Sequence, residues 1–194
     1  MHDVQAARGT SLNVAPRTGR VSTVVLVAAF VVVLDQLVKW FMVEYREGRE
    51  PLTIVGDFLK ISVIRNPGAA FGLGGGVTVV FSFIALVVAF VVIRQARTMT
   101  STGWAVALGA LLGGALGNLV DRLLREPAFG RGAVVDYVDV RYFSVFNLAD
   151  AALTLSAISI AILALRGVPM TAPGPQDRPA ADEAPTGDGP YSGL

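Results

Sequence analysis

The sequence contains no cysteine and a single histidine, His2, among its 194 residues. The lack of cysteine excludes disulfides, thiol catalysis and cysteine-based metal sites. His2 lies in a polar N-terminal tail, which removes a Ser-His-Asp triad and the HExxH class of metalloproteases from consideration. Acid–base chemistry in this chain would therefore rest on carboxylates.

Charged residues are scarce as well. They make up 16% of the chain, against 53% hydrophobic residues and a mean hydropathy of +0.59. A soluble domain carries about 25% charged residues. The composition therefore predicts an integral membrane protein, and the net charge of +1 gives no indication of a nucleic-acid partner.

Four apolar segments are each close to the roughly 20 residues that a membrane-spanning helix needs. Helices are expected because backbone polar groups in lipid must be satisfied within the segment. The predicted spans are residues 21–43, 76–93, 104–124 and 146–165. We therefore predict an all-α membrane domain of four transmembrane helices over residues 21–166.

Polar tails flank this domain. Residues 1–20 carry Arg17 and Arg20 ahead of the first apolar run, which has no small-residue cleavage site and is interpreted as an uncleaved signal anchor. Basic residues occur on both sides of a four-span arrangement, but the flank of the first helix favours a cytoplasmic N-terminus. An even number of spans then makes the C-terminus cytoplasmic too. Residues 167–194 are rich in proline and are predicted to be disordered.

The first long connection is predicted to form a small hairpin-like platform on the membrane surface. Residues 52–55 and 58–64 are rich in β-branched side chains, and Gly56-Asp57 between them is a turn signal. Asn66-Pro67-Gly68 follows, either as a simple turn or as a site that holds an extended substrate backbone. The second connection, residues 125–145, is interpreted as a polar loop carrying Asp136 and Asp139.

The third apolar segment carries Gly109, Gly113 and Gly117, a spacing that lets helix backbones approach closely. It runs into a polar cluster, in which Asn118 and Arg122 share a helix face and Asp121 lies beside them. This cluster either has a structural role, in which Arg122 neutralises an acid, or is a site in which Asp121 is catalytic. A nearby guanidinium makes a carboxylate a poor acid, which favours the structural role.

Two further acids lie at segment ends. Asp35 and Lys39 are four residues apart near the end of the first span, which predicts an ion pair, or else a support that orients a site. Asp150 opens the fourth segment, where the helix N-terminus would stabilise an anion and an ionisable group is also a functional hypothesis. Asn147 shares its helix face.

Two carboxylates that meet would share a proton, so that one activates water while the other donates to the substrate. Asp136, fourteen residues before Asp150, is one candidate partner, although acids in polar loops are usually only solvated. Asp121 is the other candidate. Spacing alone does not choose between them.

Five motifs occur in an order that resembles the lipoprotein signal peptidases, also called signal peptidase II. They are distributed over roughly Asp35 to Ala152, and each is weak alone but specific in combination. The motifs are Asp35–Lys39, Asn66–Phe71, Gly113–Arg122, Val134–Asp136 and Phe146–Asp150.

The resemblance implies an aspartic endopeptidase of the bacterial cytoplasmic membrane, with an extracytoplasmic active site and cytoplasmic termini. Such enzymes remove signal peptides from diacylglyceryl-modified prolipoproteins, before the lipidated cysteine. The family's catalytic dyad maps to Asp136 and Asp150. Its supporting positions map to Asp35, Lys39, Asn66, Gly68, Asn118, Asp121, Arg122 and Asn147.

The resemblance further implies a β-cradle over residues 44–75, a second extracytoplasmic loop, contact with membrane lipid, a monomer, and no metal, cofactor or covalent intermediate. The sequence departs from the family pattern in a short interval between Asp136 and Asp150, and in Pro67 within the Asn-x-Gly motif. The long tails and the residue usage indicate a high-GC Gram-positive bacterium.

Two other functions compete with this interpretation. A small proton-coupled membrane transporter would use Asp35, Asp121 and Asp150 as relay acids, and a non-catalytic assembly protein would pack through the glycine face. A transporter predicts acids distributed through the membrane depth, whereas these acids cluster at segment ends on one side.

Overall fold

The computed structural model describes residues 19–67 and 75–172. Four helices in this part of the chain are long and apolar enough to cross a membrane, which confirms the predicted fold class. The elements in chain order are α1 (Val21–Arg46), β1 (Leu52–Val55), β2 (Leu59–Asn66), α2 (Gly75–Ala96), α3 (Thr102–Leu124), β3 (Val134–Val140), β4 (Ser144–Phe146) and α4 (Leu148–Leu165).

The strands form one antiparallel sheet in the order β1-β2-β3-β4. The predicted hairpin is present as β1 and β2, and Gly56 in its turn has a positive φ of 46°. The interpretation of the second connection as a polar loop is wrong for residues 134–146, which form β3 and β4. Valine and tyrosine favour a strand there, and β2 offers an edge for β3 to pair with.

Helix α3 is the centre of the helical layer. About 61% of its most apolar stretch is buried, against 17% or less for each of the other helices. A Cβ added at Gly109 would lie 2.9 Å from the Val24 carbonyl oxygen, and one at Gly113 would lie 2.6 Å from Val31 Cβ. The prediction that these glycines allow close helix approach is therefore confirmed, and α1 is the helix that approaches.

Gly113→Ala is expected to destabilise the protein by about 1–3 kcal/mol, because the new methyl group would collide with α1. Part of that obstacle is backbone, the Ala28 carbonyl oxygen at 2.8 Å, which cannot move aside as a side chain would. Thermal unfolding in detergent measures the loss. Gly103→Ala on the same helix is the matched control, since its Cβ would be 3.4 Å from Leu163 Cδ2, and alanine favours the helix. Equal melting temperatures for the two variants would contradict this account.

Backbone hydrogen bonds define the end of the bundle opposite the sheet. The Arg20 amide donates to the Ala96 carbonyl at 2.9 Å, and the Thr100 amide donates to the Met170 carbonyl at 3.1 Å. The start of α1 therefore meets the end of α2, and the start of α3 lies near the end of α4. Both strand-bearing connections emerge at the other end, where their polar residues converge.

Candidate active site

Asn147 and Asp150 form a capping box at the start of α4. The Asp150 amide donates to Asn147 Oδ1 at 3.0 Å, and the Asn147 amide donates to Asp150 Oδ2 at 3.2 Å. This arrangement satisfies backbone groups at the helix N-terminus and places a carboxylate where the helix dipole favours an anion. The other oxygen, Asp150 Oδ1, accepts from Asn118 Nδ2 at 2.8 Å. The cap therefore also holds Asp150 against α3.

Asp136 lies on β3 with only 3% of its surface exposed, so the interpretation of this residue as a solvated loop acid is wrong. Its Oδ2 accepts from Asn66 Nδ2 at 2.9 Å, and its Oδ1 accepts from Asn147 Nδ2 at 2.6 Å. Asn147 thus donates to both carboxylates, from its side chain to Asp136 and from its backbone to Asp150. The two acids are brought together by one residue.

The surroundings of Asp136 favour its protonated form. Burial is the main cause that raises the pKa of the Asp136 carboxyl, and the negative charge of Asp150 adds to it. Hydrogen bonds from Asn66 and Asn147 and the charge of Lys39 oppose the shift without cancelling it. A proton is therefore retained at this carboxyl to a higher pH than at an ordinary aspartate.

A buried charge cluster lies beneath the two acids. Lys39 Nζ is 2.8 Å from Asp35 Oδ2 and 2.8 Å from Asp121 Oδ2, and all three side chains are fully buried. The predicted Asp35–Lys39 ion pair is confirmed, although it lies inside the protein rather than at an exposed helix end. The third donor bond of Lys39 goes to Asn118 Oδ1 at 3.0 Å. The cluster is thereby joined to Asp150 through Asn118.

Asp121 belongs to this cluster, and its ion-pair partners are Lys39 and Arg125 rather than Arg122. Its second cation is Arg125, whose Nε is 2.6 Å from Asp121 Oδ1. Neighbouring residues on a helix point in different directions, whereas residues four apart share a face. Arg122 instead donates to the Asn118 carbonyl at 3.1 Å and lies over the Phe81 ring.

Sequence reasoning missed several residues that hold the site together. Arg125 was detectable from its spacing of four residues from Asp121. Gln36 donates to both the Gly117 carbonyl and Asp121 Oδ1, and its position in the sequence does not indicate this role. Burial raises the pKa of Tyr137 to about 12, which keeps its hydroxyl neutral while that oxygen accepts from the Leu148 amide at 3.1 Å. Gly68, one of the residues implied by resemblance, lies outside the described residues.

The remaining residues implied by resemblance converge at the sheet end of the bundle. Asp35 reaches the same place from α1, since its Oδ1 accepts from the Ala149 amide at 3.0 Å. The acids therefore form one polar network rather than a path through the membrane depth, an arrangement that does not favour the transporter. Within residues 19–67 and 75–172, no group of three or more His, Cys, Asp or Glu side chains could hold a metal ion.

Four membrane-crossing helices define a multi-pass membrane protein. At one end of the bundle, two carboxylates that both accept hydrogen bonds from Asn147 form a polar site. The model of the family described as signal peptidase (SPase) II matches residues 27–166, most of the chain. The chain therefore belongs to the signal peptidase II family, a family of membrane peptidases.

Individual relatives agree with this assignment. The lipoprotein signal peptidase of Streptomyces coelicolor is 48% identical over 149 residues, covering 77% of this chain and 73% of that protein. The one from Mycolicibacterium smegmatis is 37% identical over 183 residues, covering 94% and 77% respectively. Both organisms are actinobacteria, which agrees with the predicted high-GC Gram-positive origin.

Two solved structures of a bacterial membrane enzyme, determined by the in meso method, share the fold. One has a TM-score of 0.65 at 29% identity and covers 81% of this chain and 98% of its own. The other has a TM-score of 0.67 at 31% identity and covers 77% and 97%. The match includes nearly the whole of each enzyme, so the helical layer and the sheet belong to one shared architecture.

Proposed function

We propose that this protein is an aspartic endopeptidase that removes the signal peptide from diacylglyceryl-modified prolipoproteins, cleaving before the lipidated cysteine. Family membership and relatives named lipoprotein signal peptidase support the substrate class. The observation that carries the aspartic mechanism is the double contact of Asn147, which holds Asp136 and Asp150 side by side.

In the proposed mechanism Asp136 and Asp150 share one proton and hold a water molecule between them. One carboxylate activates the water to attack the scissile carbonyl, and the other protonates the carbonyl oxygen and then assists the leaving amine. Two close carboxylates do not readily ionise together, which supplies the acid and the base from one residue type.

The hydrogen-bond partners distinguish this pair from Asp121, the other candidate partner of Asp150. Asp136 and Asp150 are held by neutral amide groups of Asn66, Asn118 and Asn147, which orient their oxygens and leave the charge available. Asp121 is neutralised by two cations and accepts from the Val135 amide as well. Its geometry supports a structural role, with Asp136 as the partner of Asp150.

We place the sheet end of the bundle on the extracytoplasmic side and both termini in the cytoplasm. Arg17 and Arg20 before α1 support this orientation, because basic flanks of the first helix favour the cytoplasm. The proposed dyad then lies where the helices meet the membrane surface. A diacylglyceryl group would remain in lipid while the peptide passes the dyad in an extended form.

The test uses the full chain purified in detergent with a diacylglyceryl-modified prolipoprotein and, as control, the same precursor without lipid. We expect cleavage before the modified cysteine, and at least about 100-fold slower cleavage of the unmodified precursor, because remote binding energy raises turnover. Mass spectrometry of both products locates the cleaved bond. Cleavage at another bond, or equal rates on both precursors, would contradict the proposed specificity. A proton-coupled flux in liposomes would instead support the transporter.

A further inference from the structure

The amide of Asn118 has a fixed orientation in this structure. Its Oδ1 accepts from two donors, Lys39 Nζ at 3.0 Å and Asn147 Nδ2 at 3.1 Å, and its Nδ2 donates to Asp150 Oδ1. Rotation of the amide by half a turn would point N–H groups at the ammonium of Lys39 and a carbonyl at the carboxylate of Asp150. Lys39 and Asn147, which donate to the same oxygen, therefore determine together which atom of Asn118 faces Asp150.

Lys39 is itself immobile, because each of its three donor hydrogens has an acceptor. Two go to Asp35 and Asp121 and one to Asn118, and the side chain is fully buried. The charges of Asp35 and Asp121 balance those of Lys39 and Arg125, so the cluster is neutral as a unit. A neutral, buried and fully bonded cluster is suited to holding a neighbouring amide in place.

The two aspartates of the proposed dyad occupy different settings. Asp150 is half-buried at the N-terminus of α4, where it accepts a backbone N–H and a side-chain N–H, and both favour an anion. Of the three acids near Arg122, Asp150 has the strongest attraction to its guanidinium. Asp136 also accepts two amide N–H groups, but it is almost fully buried on a strand, without a helix terminus to favour its charge.

The charged and titratable groups around the pair lie on three elements. They are Asp35 and Lys39 on α1, Asp121 and Arg122 on α3, and Tyr137 on β3.

We propose that Lys39 is a positioning residue that fixes the amide of Asn118, so that Asp150 is the ionised member of the dyad and Asp136 the protonated one. This assignment rests on the proposed function. Asp150 accepts a proton from water as the water oxygen bonds to the scissile carbon, and Asp136 donates its proton to the carbonyl oxygen. When the C–N bond breaks, Asp150 protonates the leaving amine, and a hydroxyl proton of the intermediate returns to Asp136.

Melting temperatures of two single variants test the assignment without any substrate. Asp136→Asn removes a charge that burial disfavours but turns an amide nitrogen toward the donor of Asn66 or Asn147, so its melting temperature should fall by less than about 2 °C. Asp150→Asn loses an anion that caps α4, so its melting temperature should fall by about 2–4 °C or more. Equal values for the two variants, or the reverse order, would overturn the assignment. Loss of cleavage in both variants tests the proposed function separately.

The role of Lys39 is tested by the double variant Asp35→Asn, Lys39→Met. This pair of changes keeps the buried cluster neutral, keeps an acceptor for the Ala149 amide and removes the bond to Asn118. The two carboxylates titrate as a pair, so loss of this support should move the acidic limb of the kcat/KM profile to higher pH rather than lower the rate equally at every pH.

Asp35→Asn alone is the matched control, because it retains the ammonium beside Asn118, and its acidic limb should lie no higher than that of the wild type. A profile of unchanged shape in the double variant, lowered equally at every pH, would show that Lys39 supports only the fold and would overturn the proposal.

Discussion

Asp136→Asn and Asp150→Asn should each lower the rate of prolipoprotein cleavage at least about 10³-fold, since each removes one partner of the proposed acid–base pair. Asparagine preserves the shape of the side chain and keeps one of its two acceptor oxygens for the donors of Asn66, Asn118 and Asn147. The change is therefore directed at proton transfer rather than packing. Because the two acids act on the same water, the double variant should be hardly slower than either single one.

Single-turnover cleavage of the diacylglyceryl-modified precursor in detergent measures this loss, with size-exclusion chromatography to confirm folding. Asp139→Asn is the matched control. Asp139 lies on the same strand, three residues from Asp136. It pairs with Lys60 on the neighbouring strand β2 and does not belong to the polar network. The Asp139→Asn variant should cleave at the wild-type rate. Wild-type turnover in a folded Asp136→Asn or Asp150→Asn variant would exclude the aspartic mechanism.

Lys39→Met should destabilise the protein by about 3–5 kcal/mol, the largest effect on stability that the structure predicts. Methionine fills a similar volume, but it leaves two fully buried carboxylates with Arg125 as their remaining cationic contact. Uncompensated buried charge costs far more than a lost exposed ion pair. Thermal unfolding in detergent and the yield of folded protein from membranes are the measurements.

Lys60→Met provides the comparison for this prediction. Lys60 pairs with Asp57 at 2.9 Å, nearly the distance of the buried pair, but both side chains are partly or largely exposed. Its loss should cost no more than about 1 kcal/mol. Adding Asp35→Asn to Lys39→Met should restore part of the lost stability, because it removes one unpaired charge. Equal losses from Lys39→Met and Lys60→Met would contradict the role assigned to burial.

The helices were predictable because a helix that crosses lipid needs a long apolar segment of sequence. An unbroken apolar run such as residues 21–34 has few folded alternatives, and α1 begins at the predicted residue, Val21. The ends of the helices depend on local bonds that hydropathy does not report. Helix α4 begins two residues later than predicted, at Leu148, because Asn147 caps it and Phe146 belongs to β4.

The site was only partly predictable, because its decisive contacts are distant in sequence. The Asp35–Lys39 pair follows from helical spacing, whereas the contact between Asn66 and Asp136 joins residues 70 apart. In sequence Asp136 resembles a solvated acid because it lies in a connection between two predicted spans, and the strand is evident only through its pairing with β2. Sequence spacing does not choose between Asp121 and Asp136 as the partner of Asp150. Family resemblance favoured Asp136, and the contacts now support that choice.

The sheet order has a consequence for when the protein becomes active. Asp150 is placed by a helix, but Asp136 reaches it only through the pairing of β2 with β3, two strands from separate connections. Such non-local pairing forms more slowly than helices do, and a slip of one residue would turn Asp136 to the opposite face of the sheet. A newly inserted chain with all four helices in place would still lack one half of the proposed dyad. Pairing of β2 with β3 is thus the folding step that would complete the proposed dyad and allow proteolysis in the membrane.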